Sequence, residues 1–479
     1  MHLKTTWSVW AKMMIFTSSD VKIEEIPKPK HEKGDAKMKK LFAMALSLAM
    51  CASLLAGCGQ NADTSTPADT STPASSSAAA EDGSVYYLNF KPEFNDALQK
   101  LAADYTAETG VEVKVVTAAS GTYSDTLNAN IADVTIYNIG NMAGLADWDE
   151  YALDLTDTAI AAELTTNDFN LYNEAGELKA LGNCYESFGI IVNTKLLADA
   201  GYSLADITNF ETLKAVVEDI HARAAELGFD AFSAAGLESS SSWRFSGHLA
   251  NMPLYYEFAE DGITEQPAEI KGTYMNLFKN IWDLYITNSA ADPKTLSTGT
   301  GEQSTGEFKE GKAVFYQNGT WEYAGLIESG MAAEDLTMIP IYCGAEGEEL
   351  SGLCCGTENC WAVNAKASAE DIQATLDFIT WVVTSDEGTQ MMAEQFGPIP
   401  FKNAKTPENV FFAAANDYTA AGNYVVTWAF NHTPNVDSWR ATVVSALAAY
   451  SADQTDANWD AVVSAFVDGW AIEYAVQHG

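Results

Sequence analysis

Basic residues are scarce in this sequence. Its 479 residues include 26 Lys and Arg against 66 Asp and Glu, which gives a formal net charge of −40 at pH 7. Residues 1–57 hold nine lysines and five acids, so 17 basic and 61 acidic residues remain in the rest of the chain. Such an acidic surface repels nucleic acid and anionic membranes, and we expect neither as a direct partner. A neutral ligand fits this charge best.

Cysteine and histidine are also rare. The chain has seven Cys and six His. After Cys58 the cysteines are Cys184, Cys343, Cys354, Cys355 and Cys360, an odd number that leaves at least one without a partner in this group. No paired Cys-x-x-Cys arrangement occurs, and the histidines are scattered, so we expect no transition-metal site and no cofactor.

Two local patterns have plain structural readings. Residues 453–460 look vaguely like a calcium loop but lack its Gly and its distal Glu, so they predict the start of a helix. Cys343 and Cys354 flank the acidic loop 344–351, which reads as a hairpin. A cross-strand disulfide and free thiols both remain open there.

The segment from Met38 to Cys58 has the layout of a secretory signal. Lys39 and Lys40 precede an apolar run over 41–56, which is short for a membrane span. Its end, Leu-Ala-Gly-Cys at 55–58, resembles a bacterial lipobox. That resemblance implies cleavage before Cys58, lipid on Cys58 and a protein anchored to the outer face of the cell membrane. The alternative is an uncleaved hydrophobic anchor.

Segments on either side of this signal complete the N-terminal part. Residues 1–37 precede a natural start, and we expect Met38 to be the real initiator, with 38–57 as signal peptide. Residues 58–84 are rich in Ser, Thr, Pro and Ala and predict a tether, because no large apolar side chain offsets the entropy of ordering it. The body from 85 to 479 is too long for one core and predicts two lobes.

Strand and helix patterns alternate at the start of the body. Apolar runs at 85–90, 111–116 and 133–137 predict strands, and a stripe from residue 94 to 105 predicts a helix ended by Gly110. Alternation of this kind predicts a parallel sheet with helices on both faces. Ligands bind beyond the carboxyl ends of such strands, in the loops 89–93, 118–123 and 138–142. Further on, 210–227 and 270–288 predict helices.

A longer pattern resembles a known family. Residues 307–321 read Glu-Phe-Lys-Glu-Gly-Lys-Ala-Val-Phe-Tyr-Gln-Asn-Gly-Thr-Trp, predicting a helix that ends at Gly311, a strand over 313–316 and an Asn318-Gly319 turn into a helix bearing Trp321. This is similar to a signature of family 1 extracellular solute-binding proteins, the receptors of carbohydrate importers driven by ATP hydrolysis. Residues 105–115, 188–193 and 356–359 agree, and the likeness covers 85–479.

The resemblance implies an architecture and a function. The fold would be the α/β, two-lobed periplasmic-binding-protein-like fold of class II, with discontinuous lobes, a hinge and an interlobe ligand cleft. Lobe 1 would comprise 85–186 and 359–394, and lobe 2 would comprise 187–358 and 395–479. The protein would be a monomeric, non-catalytic receptor that captures a sugar or oligosaccharide and passes it to the permease subunits of an ABC transporter by hinge closure.

Candidate ligand-binding residues follow from the resemblance and from sugar chemistry. A sugar needs aromatic platforms for its C–H faces and polar side chains for its hydroxyls. Trp321 matches the platform, and Glu186 matches an acid that bonds hydroxyls. The other candidates are Trp243, Arg244 and His248 in a variable region, Asn138 and Asn141 after a strand, and Glu358 and Asn359 at a crossing. We expect Trp361 to belong to the core. The loop 126–133 is shorter than in the family, which leaves its contacts open.

Two other functions remain alternatives. A secreted glycoside hydrolase needs two carboxylates about 5–10 Å apart, and no motif indicates such a pair. The same fold binding a peptide or a polyamine is the other alternative, and the acidic charge favours the polyamine. The sequence names neither the sugar nor the permease.

Overall fold

Two β-sheets organise the chain. A computed structural model describes residues 83–119, 121–167 and 169–479. The predicted start, the signal peptide, Cys58 and the tether up to residue 82 lie outside the described residues. The strands are β1 (Val85–Asn89), β2 (Val113–Thr117), β3 (Ile136–Ile139), β4 (Leu171–Tyr172), β5 (Leu178–Gly182), β6 (Glu186–Asn193), β7 (Asp230–Phe232), β8 (Ala313–Gly319), β9 (Leu336–Ile339), β10 (Ser351–Gly356), β11 (Cys360–Val363) and β12 (Tyr424–Thr427).

Both sheets mix parallel and antiparallel strands. The first has the order β2-β1-β3-β11-β5-β4, and the second has the order β12-β10-β6-β8-β7 with β9 also on β6. In the first sheet β1 pairs in parallel with β2 and β3, as predicted, but β11 runs antiparallel to β3 and β5. The prediction of a parallel sheet is therefore wrong beyond β3. The reason is that β11 enters this sheet only after the chain has passed through the second one.

Helices cover the sheets. The α-helices are Asn95–Thr109, Tyr123–Asn130, Met142–Trp148, Thr194–Asp199, Phe210–Ala222, Ala224–Leu227, Ser239–Trp243, Ala250–Asp261, Met275–Thr287, Gly301–Lys309, Glu322–Glu328, Ala369–Thr384, Asp386–Met391, Val410–Ala420, Val436–Ala452 and Asp456–His478. Gly110 ends the first with φ 82°, a left-handed conformation that suits glycine. The predicted helix 210–227 is capped by Asn209 but breaks at Arg223. No helix in the described ranges is both long and apolar enough to cross a bilayer.

Each sheet has its own hydrophobic core. The core of the first sheet contains Trp361, which is buried as predicted and donates from Nε1 to the Tyr87 hydroxyl at 2.8 Å. The core of the second sheet is larger and includes Trp282 and Trp470. Burial of a large apolar side chain contributes roughly 1.5–3 kcal/mol, so each lobe has an independent source of stability. The two-lobed α/β fold inferred from the family resemblance is confirmed.

The region around Cys343 and Cys354 is not a hairpin. β9 and β10 both pair with β6 rather than with each other, and a buried carboxylate orders the loop between them. Glu348 accepts hydrogen bonds from the backbone N–H groups of Cys343, Gly344 and Ala345 at 2.7, 2.8 and 3.2 Å. All five cysteines of the described part are buried free thiols, so the possible disulfide is absent.

The chain passes between the sheets at three places. It leaves β5 for β6 through residues 183–185 and leaves β10 for β11 through residues 357–359. Phe396, Ile399 and Phe401 still pack in the core of the first sheet, and the helix Val410–Ala420 then packs on β9 and β10. The predicted lobe boundaries stay a prediction. Residues 456–478 form a helix capped by Thr455, as the pattern at 453–460 predicts.

Candidate functional site

A cavity of about 310 Å³ lies between elements of the two lobes. On the side of the first sheet it is lined by Phe90, Tyr123, Asn138, Asn141, Asp147 and Trp148, and on the opposite side by Asn435, Val436, Asp437, Ser438 and Gln477. Glu358, from the β10–β11 crossing, also lines it. The carboxyl end of β3 and the loops after β1 and β3 therefore meet here, where the parallel strands predict a ligand.

Asn138 lines this cavity, and its side-chain amide is buried without a hydrogen-bond partner among the described residues. The residue is 6% exposed, and its backbone N–H donates to the Tyr123 hydroxyl at 2.7 Å. Its side-chain amide lies beside the hydroxyl of Tyr87, but neither amide atom has the geometry of a hydrogen bond to a described residue. A buried amide without partners costs about 1–3 kcal/mol, so a ligand that supplies them gains affinity.

Asn141 has a structural role in the same wall. Its side-chain oxygen accepts from the Gly144 N–H at 2.9 Å and so caps the helix Met142–Trp148. Capping of this kind stabilises a helix start by roughly 1 kcal/mol. Asn141 lines the cavity, yet its oxygen is already used.

The opposite wall is the start of the helix Val436–Ala452. Asn435 precedes it in a left-handed conformation with φ 38°, and no side chain in the described part caps this helix start. Asn435 is held instead by the C-terminal helix, because its N–H donates to Gln477 Oε1 at 3.1 Å. First-turn N–H groups lack partners within a helix, so this wall offers hydrogen-bond donors. This wall was not predicted from the sequence. The only signal for it in the sequence was Asn435, directly before a helical apolar pattern.

Glu358 is the acidic member of the cavity. Its carboxylate lies 3.9 Å from Arg440 Nη2. Burial raises the pKa of Glu358, and the charge of Arg440 opposes that rise. The pair joins the crossing to the helix that forms the second wall.

Three of the predicted residues form an aromatic cluster outside the lining of this cavity. The ring of Trp321 lies 6.0 Å from that of Trp243 and 5.5 Å from that of His248. Trp321 is half-buried and packs against both cores. The preceding Asn318-Gly319 pair continues β8 instead of turning as predicted, and Trp321 is the N-cap of the helix Glu322–Glu328.

The indole of Trp321 folds back onto Gly319. A Cβ atom at position 319 would lie 2.2–2.5 Å from carbons of this indole, which no real contact allows. Glycine at this position is therefore a packing requirement of the tryptophan. This contact explains why Gly and Trp occur two residues apart in the pattern.

Glu186 and Asn359 meet at the hinge and not in the cavity. Glu186 is buried at the start of β6, where its Oε1 forms an ion pair with Lys91 and its Oε2 accepts from Asn359 Nδ2 at 3.1 Å. Burial raises the pKa of Glu186, and the ammonium of Lys91 opposes the rise. Both carboxylate oxygens already have partners. Sequence reasoning did not single out Lys91.

Arg244 lies in the core of the second lobe. Its guanidinium donates to the Gln317 carbonyl at 2.9 Å and to the hydroxyls of Ser241 and Ser304 at 2.8 and 2.9 Å. Its two Nη atoms thus hold the side chain inside the protein, while its Nε has no hydrogen-bond partner among the described residues.

His248 is buried next to Arg244 and beside the aromatic cluster. It stacks on Phe188 with 3.9 Å between ring centroids, and its Nδ1 lies 2.8 Å from Gln317 Nε2. Burial and the positive charges of Arg440 and Arg244 lower its pKa well below the ordinary value. The ring is therefore neutral at physiological pH, with Nδ1 accepting from the amide.

Eight of the nine predicted residues thus separate into three groups, and Arg244 lies apart in the core of the second lobe. Asn138, Asn141 and Glu358 line the cavity, Trp321, Trp243 and His248 form the aromatic cluster, and Glu186 and Asn359 form a hinge network. Phe90 connects the cavity to the hinge network. It lines the cavity, and its ring lies 5.5 Å from the ammonium of Lys91, which is the ion-pair partner of Glu186. Among the described residues no group of three or more His, Cys, Asp or Glu is placed to hold a metal ion.

Several solved structures share this architecture. The solute-binding protein RafE in complex with raffinose is 17% identical and covers 80% of this chain and 98% of its own, with a TM-score of 0.64. A chitin oligosaccharide binding protein is 16% identical, with 83% and 100% coverage and a TM-score of 0.64. A sugar transporter protein from Bacillus licheniformis, in complex with stachyose, is 15% identical, with 81% and 100% coverage and a TM-score of 0.58. At these identities the likeness shows the fold.

Comparison by sequence gives the family. No curated protein matches the chain at a significant level. The family model of the bacterial extracellular solute-binding proteins matches residues 100–420, about two thirds of the chain. The match agrees with the pattern around Gly319 and Trp321 and with the two-lobed fold. This chain belongs to the bacterial extracellular solute-binding protein family.

Proposed function

We propose that this protein is a receptor that captures a neutral sugar or oligosaccharide outside the cell and delivers it to the permease subunits of an ABC importer. The observation that carries the proposal is the buried, unpaired amide of Asn138 in a cavity between the two lobes. A ligand bound there contacts both lobes, so its binding energy favours the closed form.

The chemistry of the cavity suits a polyhydroxylated ligand. An amide and a helix start supply donors, while carboxylates such as that of Glu358 supply acceptors. Phe90 and Trp148 supply apolar surface for C–H faces. Its volume is at the lower end of the range of small-molecule pockets, roughly 300–1,000 Å³. Two structural neighbours are complexes with raffinose and stachyose, and a third is a chitin oligosaccharide binding protein, which supports the same ligand class here.

A thermal-shift screen tests the ligand class. The purified body is heated with neutral mono- and oligosaccharides, with a polyamine and with a short peptide. A ligand at 100 times its dissociation constant adds about 2.7 kcal/mol of stability. Stabilisation by a neutral saccharide alone supports the proposal, and stabilisation by the polyamine or the peptide alone replaces it.

A hydrolase is the competing class of function. The carboxylate of Glu358 is engaged with Arg440, and both oxygens of Glu186 are hydrogen-bonded, which favours binding over acid–base chemistry. Incubation with the oligosaccharide that stabilises the protein, followed by an assay for new reducing ends, separates the two classes. Release of reducing ends would make the protein an enzyme.

The lipid anchor is part of the proposal. The lipobox-like sequence at 55–58 supports cleavage before Cys58 and lipid attachment to it. We expect Cys58→Ala to release the protein from the membrane fraction, with expression from Met38 alone giving the same mature protein. Unchanged membrane association and gel mobility of Cys58→Ala would contradict the anchor, and residues 1–37 on the exported protein would contradict the start.

A further inference from the structure

Lys91 is a buried lysine that contacts both lobes. It follows β1 of the first sheet, and it is 9% exposed. Its ammonium pairs with Glu186, where β6 of the second sheet begins. The same ammonium lies 5.1 Å from the ring centroid of Trp321, which is a cation–π distance. One side chain of the first lobe therefore contacts a residue at the hinge and a residue of the second lobe.

The base of Lys91 is fixed to the first sheet. Its N–H donates to Asn89 Oδ1 at 3.1 Å, and its carbonyl accepts from Asn89 Nδ2 at 2.6 Å. The same Asn89 Nδ2 lies 3.1 Å from Thr117 Oγ1 on the neighbouring strand β2. These hydrogen bonds fix the backbone of Lys91 to the first sheet.

The ammonium lies among aromatic rings. The centroids of Phe90 and Phe94 lie 5.5 and 5.3 Å from Lys91 Nζ, in addition to that of Trp321. Apolar surroundings weaken the competition of water, so the ion pair and the cation–π contacts are stronger here than on the surface.

The acceptor of the ion pair is fixed at the hinge. Glu186 Oε2 accepts from Asn359 Nδ2, and Asn359 directly precedes β11 of the first sheet. Glu186 thus lies between two strands that leave and re-enter the first lobe. If the lobes open about this hinge, Trp321 would move away from Lys91, whereas Glu186, which lies at the hinge, would stay close to it.

We propose that Lys91 is a positioning residue of the binding site, whose ammonium sets the angle of lobe closure by holding Glu186 and Trp321 at once. Lys91 and Trp321 belong to different lobes, so opening of the lobes would break their contact, and the contact therefore favours the closed form. The part of this inference that concerns ligand affinity rests on the proposed function, whereas the part that concerns the shape of the ligand-free protein does not.

Two variants test this role. Lys91→Met keeps an unbranched chain but leaves Glu186 buried without its counter-charge, which strongly destabilises proteins. Lys91→Met/Glu186→Gln removes both charges, and we expect it to regain most of the lost stability. The double variant should still show a larger radius of gyration in small-angle X-ray scattering without ligand. Its affinity for the oligosaccharide should fall about fivefold to tenfold.

The control is an exposed ion pair in the first lobe. Lys100 and Asp104 lie one helical turn apart, and Lys100→Met/Asp104→Asn should change neither the radius nor the affinity. A stable Lys91→Met/Glu186→Gln protein with wild-type radius and affinity would overturn the inference, because the pair would then be structural only.

Further outcomes are equally decisive. If the double variant is too unstable to measure, Trp321→Leu removes the second contact and keeps the ion pair. It should show the same increase in radius, and an unchanged radius overturns the inference. If no saccharide binds the wild-type protein, the proposed function fails, while the scattering comparison of ligand-free proteins still decides the role of Lys91.

Discussion

The cavity wall at Asn138 and the region around Arg244 both hold buried polar side chains, but they use them differently. The guanidinium of Arg244 donates to a carbonyl and two hydroxyls inside the second lobe. The amide of Asn138 has no hydrogen bond to a described residue and lines a cavity. A group with several hydrogen-bond partners stabilises the fold, whereas a group with none lowers its stability unless a ligand supplies the partners. Burial alone does not distinguish Arg244 from Asn138, whereas the number of hydrogen-bond partners does.

The largest expected effect is a loss of stability on substitution of Arg244, the hydrogen-bonded member of this comparison. Arg244→Ala removes a large buried side chain and leaves the hydroxyls of Ser241 and Ser304 without this donor, so the free energy of unfolding should fall by roughly 3–5 kcal/mol. Denaturant unfolding measures it. The exposed variant Lys195→Ala should change stability by less than about 0.5 kcal/mol. Near-normal stability of Arg244→Ala together with lost ligand affinity would place Arg244 in the binding site.

Trp321 is half-buried and packs against both cores, so its substitution tests whether this side chain serves the fold or the ligand. The family resemblance implies that Trp321 stacks on the sugar, although its indole lies outside the lining of the cavity at Asn138. If it does stack there, loss of the indole face costs about 1–3 kcal/mol, and Trp321→Ala should weaken binding about tenfold to a hundredfold in calorimetric titration. Trp361→Ala is the matched core variant, and it should lose about 3–5 kcal/mol of stability with little change in affinity of the folded protein. If Trp321→Ala instead behaves like Trp361→Ala, the indole belongs to the core.

Glu322, next to Trp321, is expected to make the stability of the protein depend on pH. Burial and the nearby charge of Glu93 raise its pKa from 4.5 to about 7, although Asn318 Nδ2 donates to it at 3.0 Å. The folded state binds this proton more tightly than the unfolded state, so its penalty is absent below about pH 4.5 and complete above about pH 7. Glu322→Gln should be more stable than the wild type at pH 8, by about 1–3 kcal/mol.

The quantity to measure is the difference in the free energy of unfolding between Glu322→Gln and the wild type. The other acidic residues are the same in both proteins, so their contributions cancel in this difference. Thermal unfolding from pH 4.5 to pH 8 should show this difference growing with pH. A constant difference would mean that Glu322 titrates near the ordinary value of a glutamate.

Substitution of Asn138, the unpaired member of this comparison, has the smallest expected effect on stability. Its amide has no partner to lose, so Asn138→Ala should leave stability unchanged or slightly raised. Ligand affinity should fall about fivefold to tenfold, since a hydrogen bond is worth about 1 kcal/mol. Asn141→Ala is the neighbouring control, because loss of its cap should cost about 1 kcal/mol of stability. A large loss of stability in Asn138→Ala would contradict this assignment.

Much of the fold could be predicted from local patterns. The family pattern at 307–321 and the first strands indicated a two-lobed α/β protein, because periodicity and glycine positions are local properties. The antiparallel entry of β11 was not predictable in that way, since it depends on a chain that returns from the other lobe. The break at Arg223 within a continuous apolar stripe also left no clear signal.

The candidate site was predicted less completely. Residue types and loop positions selected Asn138, Asn141 and Glu358, which line the cavity. The sequence does not show whether a polar side chain is already paired, and so Arg244 and Glu186 could not be told from Asn138. The start of the helix Val436–Ala452 and Lys91 were missed, because their importance comes from residues distant in the sequence.

The central claim is that a saccharide binds between the lobes at Asn138. The most direct test is a crystal structure of the protein with the saccharide that stabilises it most. We expect a ligand in the cavity, with both amide atoms of Asn138 hydrogen-bonded to it and contacts to the first turn of the helix Val436–Ala452. A ligand bound elsewhere, with the amide of Asn138 still unpaired, would contradict it.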